Sequence, residues 1–274
     1  MIKTLRPSNR FRCAIISAVV SLFFASSFCP QLQARAFSKS EAVARIRRAH
    51  ILSTTTPETF ASYRLTGCMQ LHLKQLPIRT ATTCIPEDTG VLQPSSAYVS
   101  VLIGPLRVTE VIDISQAKGW QLTSASPANA DSPGNVTDLH ESKYAALLEN
   151  TQHSLIALLG LLNDSNPDVR ANLIVSHHGG LVVIRWSEGQ SVNEFFFDGR
   201  TFLCVRQVRT VRAGSTVFKY SNYLNVSTLK LPHTIVMANS EGTNIATRTI
   251  TRWALASHWP VNSFDPTKMS NFDN

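Results

Sequence analysis

Residues 181–220 read LVVIRWSEGQSVNEFFFDGRTFLCVRQVRTVRAGSTVFKY. Glu188-Gly189, Asp198-Gly199 and Ala213-Gly214 are turn dipeptides, and the runs between them are rich in Val, Phe, Thr and Arg. Aromatic and β-branched residues suit a pleated, half-buried surface, so 181–186, 192–197, 202–211 and 216–223 read as consecutive strands. Connections this short make neighbouring strands antiparallel. Side chains alternate along a strand, which puts Phe195 and Phe197 on one face and Phe196 on the other.

The same pattern extends both ways. Upstream, 171–178 ends at Gly179-Gly180; downstream, 234–238 and 244–255 flank Glu241-Gly242. Nearer the N-terminus, 63–73, 79–85, 98–103 and 106–114 alternate between turn signals that include Gly104-Pro105, and Lys118-Gly119 marks a further turn. Two helices interrupt the strands. Phe37 followed by Ser38-Lys39-Ser40-Glu41 is a staple residue and a capping box, which predicts a helix over 38–51 with Ala42, Ile46 and Ala49 on one face. Asp138-x-x-Glu141 opens a second helix, where Tyr144, Leu147, Leu148, Leu155, Leu158, Leu159 and Leu162 recur at helical spacing until 163–167. Ile156 and Leu161 widen its apolar stripe beyond what a surface helix needs, so it covers something apolar. The segment 124–135 reads as a loop. About ten strands and two helices give an α+β chain, mainly β: a single antiparallel sheet that curls, with helices on its concave side.

The charge is concentrated at the front. Lys3, Arg6, Arg10, Arg12 and Arg35 account for five of the 26 bases, and no acid precedes residue 41. Residues 13–28 form an apolar run, and Ala34-Arg35-Ala36 follows as a small-x-small site, so 1–36 reads as a signal peptide cut near Ala36. A 16-residue helix rises about 24 Å, short of a bilayer's hydrocarbon core of roughly 30 Å. The remaining chain, 37–274, keeps 21 bases against 18 acids. A nucleic-acid binder shows a basic stripe, and this balance provides none. Export permits disulfides. Of Cys68, Cys84 and Cys204, the first two flank Leu76-Pro77 symmetrically, and a bridge between them or two buried thiols both fit; Cys204, in an apolar strand, reads as a core thiol.

Catalytic patterns are sparse. His177 and His178 are adjacent on a strand and point to opposite faces, so they do not share a metal. His140, His153, His233 and His258 are isolated, and no HExxH, CxxC, GxSxG elbow, P-loop or dinucleotide fingerprint occurs. The reading is of a non-enzymatic protein without a cofactor.

The order of elements resembles the periplasmic lipoprotein carriers and their relatives, the LolA-like and RseB-like proteins. Tyr63-Arg64-Leu65-Thr66-Gly67 is similar to the group's first strand with its glycine. Leu231-Pro232-His233-Thr234-Ile235 is similar to a strand start after a loop, Thr247-Arg248-Thr249-Ile250-Thr251 to the penultimate strand, and Val261-Asn262-Ser263-Phe264-Asp265-Pro266 to the closing segment. The resemblance implies an incomplete barrel with helices as an inner lid. It also implies a periplasmic or secreted carrier or sensor that binds a lipid or an acylated lipoprotein in an apolar groove. The alternatives are an RseB-like module that contacts an inner- or outer-membrane protein, and, less favoured, a hydrolase with a triad assembled in space. Bulky side chains on shared faces are the expected groove: Trp186, Phe195, Phe197, Phe218 and Trp253 from the strands, and Leu155, Leu158, Leu159 and Leu162 from the helix.

Overall fold

The computed structural model describes residues 37–56, 58–72, 84–92, 95–125, 134–164, 166, 168–212, 214–255 and 264. The signal segment, the Leu76-Pro77 turn, most of 79–85, most of the 124–135 loop, His258 and all of 261–266 except Phe264 lie outside them.

The chain enters through helix α1 (Lys39–Ala49), where Ser38 Oγ accepts the Glu41 N–H, and then a 3₁₀ turn (Leu52–Thr54) and the short α2 (Glu58–Ala61). Six strands follow: β1 (Ser62–Leu71), β2 (Ile85–Leu92), β3 (Ser96–Ile103), β4 (Leu106–Asp113), β5 (Lys118–Ala125) and β6 (Asn135–Asp138). Helices α3 (Glu141–Gln152) and α4 (Leu155–Asn163) lead to seven more: β7 (Leu173–His178), β8 (Leu181–Glu188), β9 (Ser191–Asp198), β10 (Cys204–Val211), β11 (Gly214–Val226), β12 (Leu229–Asn239) and β13 (Asn244–Leu255). All thirteen strands described form one antiparallel sheet in the order β6-β5-β4-β3-β2-β1-β13-β12-β11-β10-β9-β8-β7. Each half is a meander, and β1 against β13 is the seam.

This order places the helices. The sheet's two edges, β6 and β7, are the strands that α3 and α4 connect, so the helix pair carries the chain from one edge to the other. The sheet is not closed into a barrel, but it curls. Val99 on β3 and Arg209 on β10 are six interstrand steps apart, about 29 Å in a flat sheet. Both nevertheless border one cleft. A single core fills the concave face, in which Val91, Ala97 and Ile112 from the first meander and Ile184, Phe195 and Phe197 from the second share one cluster with α1 and α4. A smaller cluster, Tyr98, Val111 and Leu122, lies on the opposite face with Phe264 against the Tyr98 ring.

The structure corrects the sequence reading at three points. Most of the strand expected over 79–85 lies outside the described residues; a strand absent from the sequence reading runs over Ile85–Leu92, and β5 and β6 add strands where a turn and a loop were expected. The second helix is two: Asp138 ends β6, His140 caps α3, and Ser154 Oγ caps α4 through the Ala157 N–H at 3.1 Å. Helix α3 stops at His153 because Ser154 offers the next turn a new N-cap. Cys68 and Cys84 are joined as a disulfide with Cα atoms 5.4 Å apart, tying β1 to the start of β2. At Gly67 the β1–β13 register shifts, and a Cβ there would collide with the Thr249 carbonyl. That close approach explains the glycine.

His50, at the end of α1, is fully buried. Its Nδ1–H donates to the Lys230 carbonyl at 2.8 Å, and its Nε2 has no partner. Burial lowers its pKa to about 4. A depressed folded-state value means that stability is full above the unfolded value of about 6.5 and is lost as the pH falls towards 4, at a cost of roughly 3 kcal/mol. His50→Asn keeps a donor for Lys230 without titrating. Relative to this variant, the wild-type urea midpoint is expected to drop between pH 7 and pH 4.5; parallel midpoints would show that His50 is not the titrating group.

Candidate functional site

Between the concave sheet face and the α3–α4 pair lies a cleft of about 120 Å³. Its sheet wall consists of i, i+2 pairs, the period at which side chains share a face: Tyr63 and Leu65 on β1, Thr89 and Val91 on β2, Phe218 and Tyr220 on β11, Ile235 and Met237 on β12. Trp253 closes one side, with its indole N–H donating to the Pro232 carbonyl at 3.1 Å. Leu147, Leu155 and Ile156 face these residues from the helices.

Of the nine residues expected to line a groove, Leu155, Phe218 and Trp253 border this cleft. Phe195, Phe197, Leu158, Leu159 and Leu162 are instead buried completely in the core. The reason is the position of the helices: β9 lies beneath α1 and α4, and the His50 ring meets Phe197 edge-on at 6.3 Å. Phe196 points away, under the Arg206 guanidinium at 3.9 Å. Trp186 packs against the His153 ring at 5.0 Å, outside the cleft wall.

The polar half of the cleft is not evident from the sequence. The β9–β10 register shifts between Cys204 and Arg206, and a one-residue shift reverses the face on which every later side chain falls. Gln207 and Arg209 therefore turn inward, while Val205 is exposed. Gln207 Nε2 donates to Asn193 Oδ1 at 2.9 Å and to the His153 carbonyl at 2.8 Å, and its Oε1 accepts from Tyr220 Oη at 2.6 Å. Arg209 joins the same network through Asn193, Asn150 and the His153 carbonyl. Across the cleft, Arg248 donates to both oxygens of the buried Glu87, at 2.8 and 2.5 Å. Burial pushes the phenols of Tyr63 and Tyr220 up, so both stay neutral.

Beside the cleft, the His153 Nδ1 lies 2.7 Å from Glu149 Oε2, and Ser191 Oγ donates to the same oxygen at 2.9 Å. The serine thus bonds the acid and not the imidazole, which is not the order of a nucleophilic triad. Burial pushes the Cys204 thiol up, away from the nucleophilic thiolate. His177 Nε2–H donates to the Phe37 carbonyl at 2.8 Å, pinning the entry to α1 against β7. Among the described residues no group of three or more His, Cys, Asp or Glu is placed to hold a metal ion, and no helix is long and apolar enough to cross a membrane.

No family model matches the chain, and no curated protein matches it. Solved structures similar to it include a putative outer membrane lipoprotein-sorting protein domain from Vibrio parahaemolyticus, at 11% identity over 83% of this chain and 97% of that one, with a TM-score of 0.41. A DUF1329 family protein from Desulfovibrio piger is 8% identical over 82% of this chain and 96% of that one, with a TM-score of 0.40. MucB is 10% identical over 82% of this chain and 61% of its own, with a TM-score of 0.22.

Proposed function

We propose that the protein is an exported carrier or sensor that binds the acyl chain of a lipid or lipoprotein in the cleft beneath α3 and α4, without chemistry on it. On this reading residues 1–36 direct export and 37–274 form one binding domain. The observation that carries the proposal is the cleft: paired, mostly apolar side chains from four strands of an open, curled sheet, facing leucines on the helices that link its edges. Each buried methylene gains about 0.8 kcal/mol, so such a wall holds a chain with no polar motif. An apolar cavity of about 150 Å³ takes up benzene, so a cleft of about 120 Å³ accepts a few methylenes, and a longer chain displaces the helices.

Organic extraction of the protein purified from cells, followed by mass spectrometry, is expected to yield fatty acid, phospholipid or acylated peptide. Phe218→Ala removes an aromatic wall and is expected to weaken binding of a fluorescent fatty acid about tenfold. A protein that is free of lipid, binds no acyl probe and instead retains a membrane protein belongs to the interaction-module reading.

A further inference from the structure

Arg209 and Arg248 both border the cleft, and they differ in one respect. The Arg248 charge is matched by Glu87. Arg209 is only 7% exposed, and no acid lies within ion-pair reach of it among the described residues. Its acceptors are all neutral: Asn193 Oδ1 at 3.3 Å from Nε, Asn150 Oδ1 at 2.5 Å from Nη1, and the His153 carbonyl at 3.1 Å from Nη2. Glu149, whose field reaches Arg209, is occupied by His153 and Ser191. A guanidinium has five N–H donors, so two remain, one on each terminal nitrogen. The Phe218 ring lies 5.1 Å from the guanidinium carbon. A buried cation with no acid in direct contact is costly, and neutral acceptors orient it without fully offsetting that cost.

We propose that the cleft's occupant is an anionic amphiphile whose carboxylate or phosphate is held by the two unused donors of Arg209, while its chain lies against the apolar wall. This rests on the acyl-binding reading above. Planar two-point binding of a carboxylate or phosphate is the chemistry that a guanidinium fork supports. A purely structural Arg209 would account for the bonds to Asn150, Asn193 and His153, but it would give the cleft no preference between charged and neutral ligands of the same chain.

The test compares cis-parinaric acid with its methyl ester, which share one chain and differ in charge, by fluorescence titration of the purified protein. The acid is expected to bind about tenfold to a hundredfold more tightly than the ester, since a hydrogen-bonded charge is worth more than a neutral contact. Displacement by lysophosphatidic acid against a monoacylglycerol of equal chain length asks the same of a phosphate and separates the two head groups. Arg209→Gln is expected to bring the acid down to the ester's affinity and leave the ester unchanged. Arg209→Lys, which keeps the charge but not the fork, is expected to retain part of the preference. Equal wild-type affinity for the charged and neutral members of both pairs would overturn the anion site and leave the acyl cleft standing. Failure of all four probes to bind would overturn the parent reading as well. Should Arg209→Gln not fold, the wild-type comparison and Arg209→Lys still decide the matter.

Discussion

Truncating Phe197 to alanine is expected to remove about 3–5 kcal/mol of folding stability while leaving affinity for an acyl probe within about twofold of wild type. The ring is fully buried on β9, flanked across the sheet by Val182 on β8 and Cys204 on β10 and met edge-on by His50 from α1. Elements on both sides of the ring hold their positions through other contacts: His50 is tied to the Lys230 carbonyl, and the strands are tied through their ladders. The surroundings therefore cannot collapse fully into the gap, and the lost transfer energy and the cavity add. One kcal/mol moves the midpoint of a domain this size by about 2–4 °C, so the melting point should fall by at least 6 °C. A melting point near wild type together with lost acyl binding would move Phe197 from the core to the binding surface.

The same residue shows what was legible in the sequence. Alternation alone put Phe195 and Phe197 on one face, and the structure has them so; alternation does not say whether that face meets a helix or a cavity. Helix α1 was readable because its Ser38 cap and Glu41 are local. Strand β2 was not, because Pro86, Glu87, Asp88 and Gly90 within eight residues look like a loop. Its acids are tolerated in a sheet by partners far away in the chain: Arg64 Nε donates to Asp88 at 2.9 Å, and Arg248 to Glu87 at 2.8 Å. The inward Gln207 and Arg209 were hidden for a related reason. A register shift reverses their faces, and their partners Asn150, His153 and Asn193 are 14 to 59 residues distant. Propensity and period read neighbours within a turn or a strand; buried polar pairing is settled by topology.

Glu87 provides the other large effect. Its side chain is fully buried, and Arg248 grips both oxygens from β13, across β1, so the pair bridges the two strands that flank β1. Glu87→Ala leaves the Arg248 guanidinium facing the cleft without its acid, and removing one member of a buried pair costs about 3–5 kcal/mol. Replacing both, as Glu87→Leu with Arg248→Met, removes the two desolvation costs together and is expected to recover most of that loss, because an apolar pair of similar volume is often neutral there. Urea unfolding of the single and double variants gives the coupling directly. The cleft adds a second readout. With Glu87 gone, Arg248 becomes, like Arg209, a cation on the cleft with no acid in direct contact, so the Glu87→Ala variant should bind cis-parinaric acid more tightly than wild type while its affinity for the methyl ester stays the same. If the single variant is as stable as wild type, the Glu87–Arg248 contact is not holding the seam; if the acid gains nothing, Arg248 does not face the bound head group.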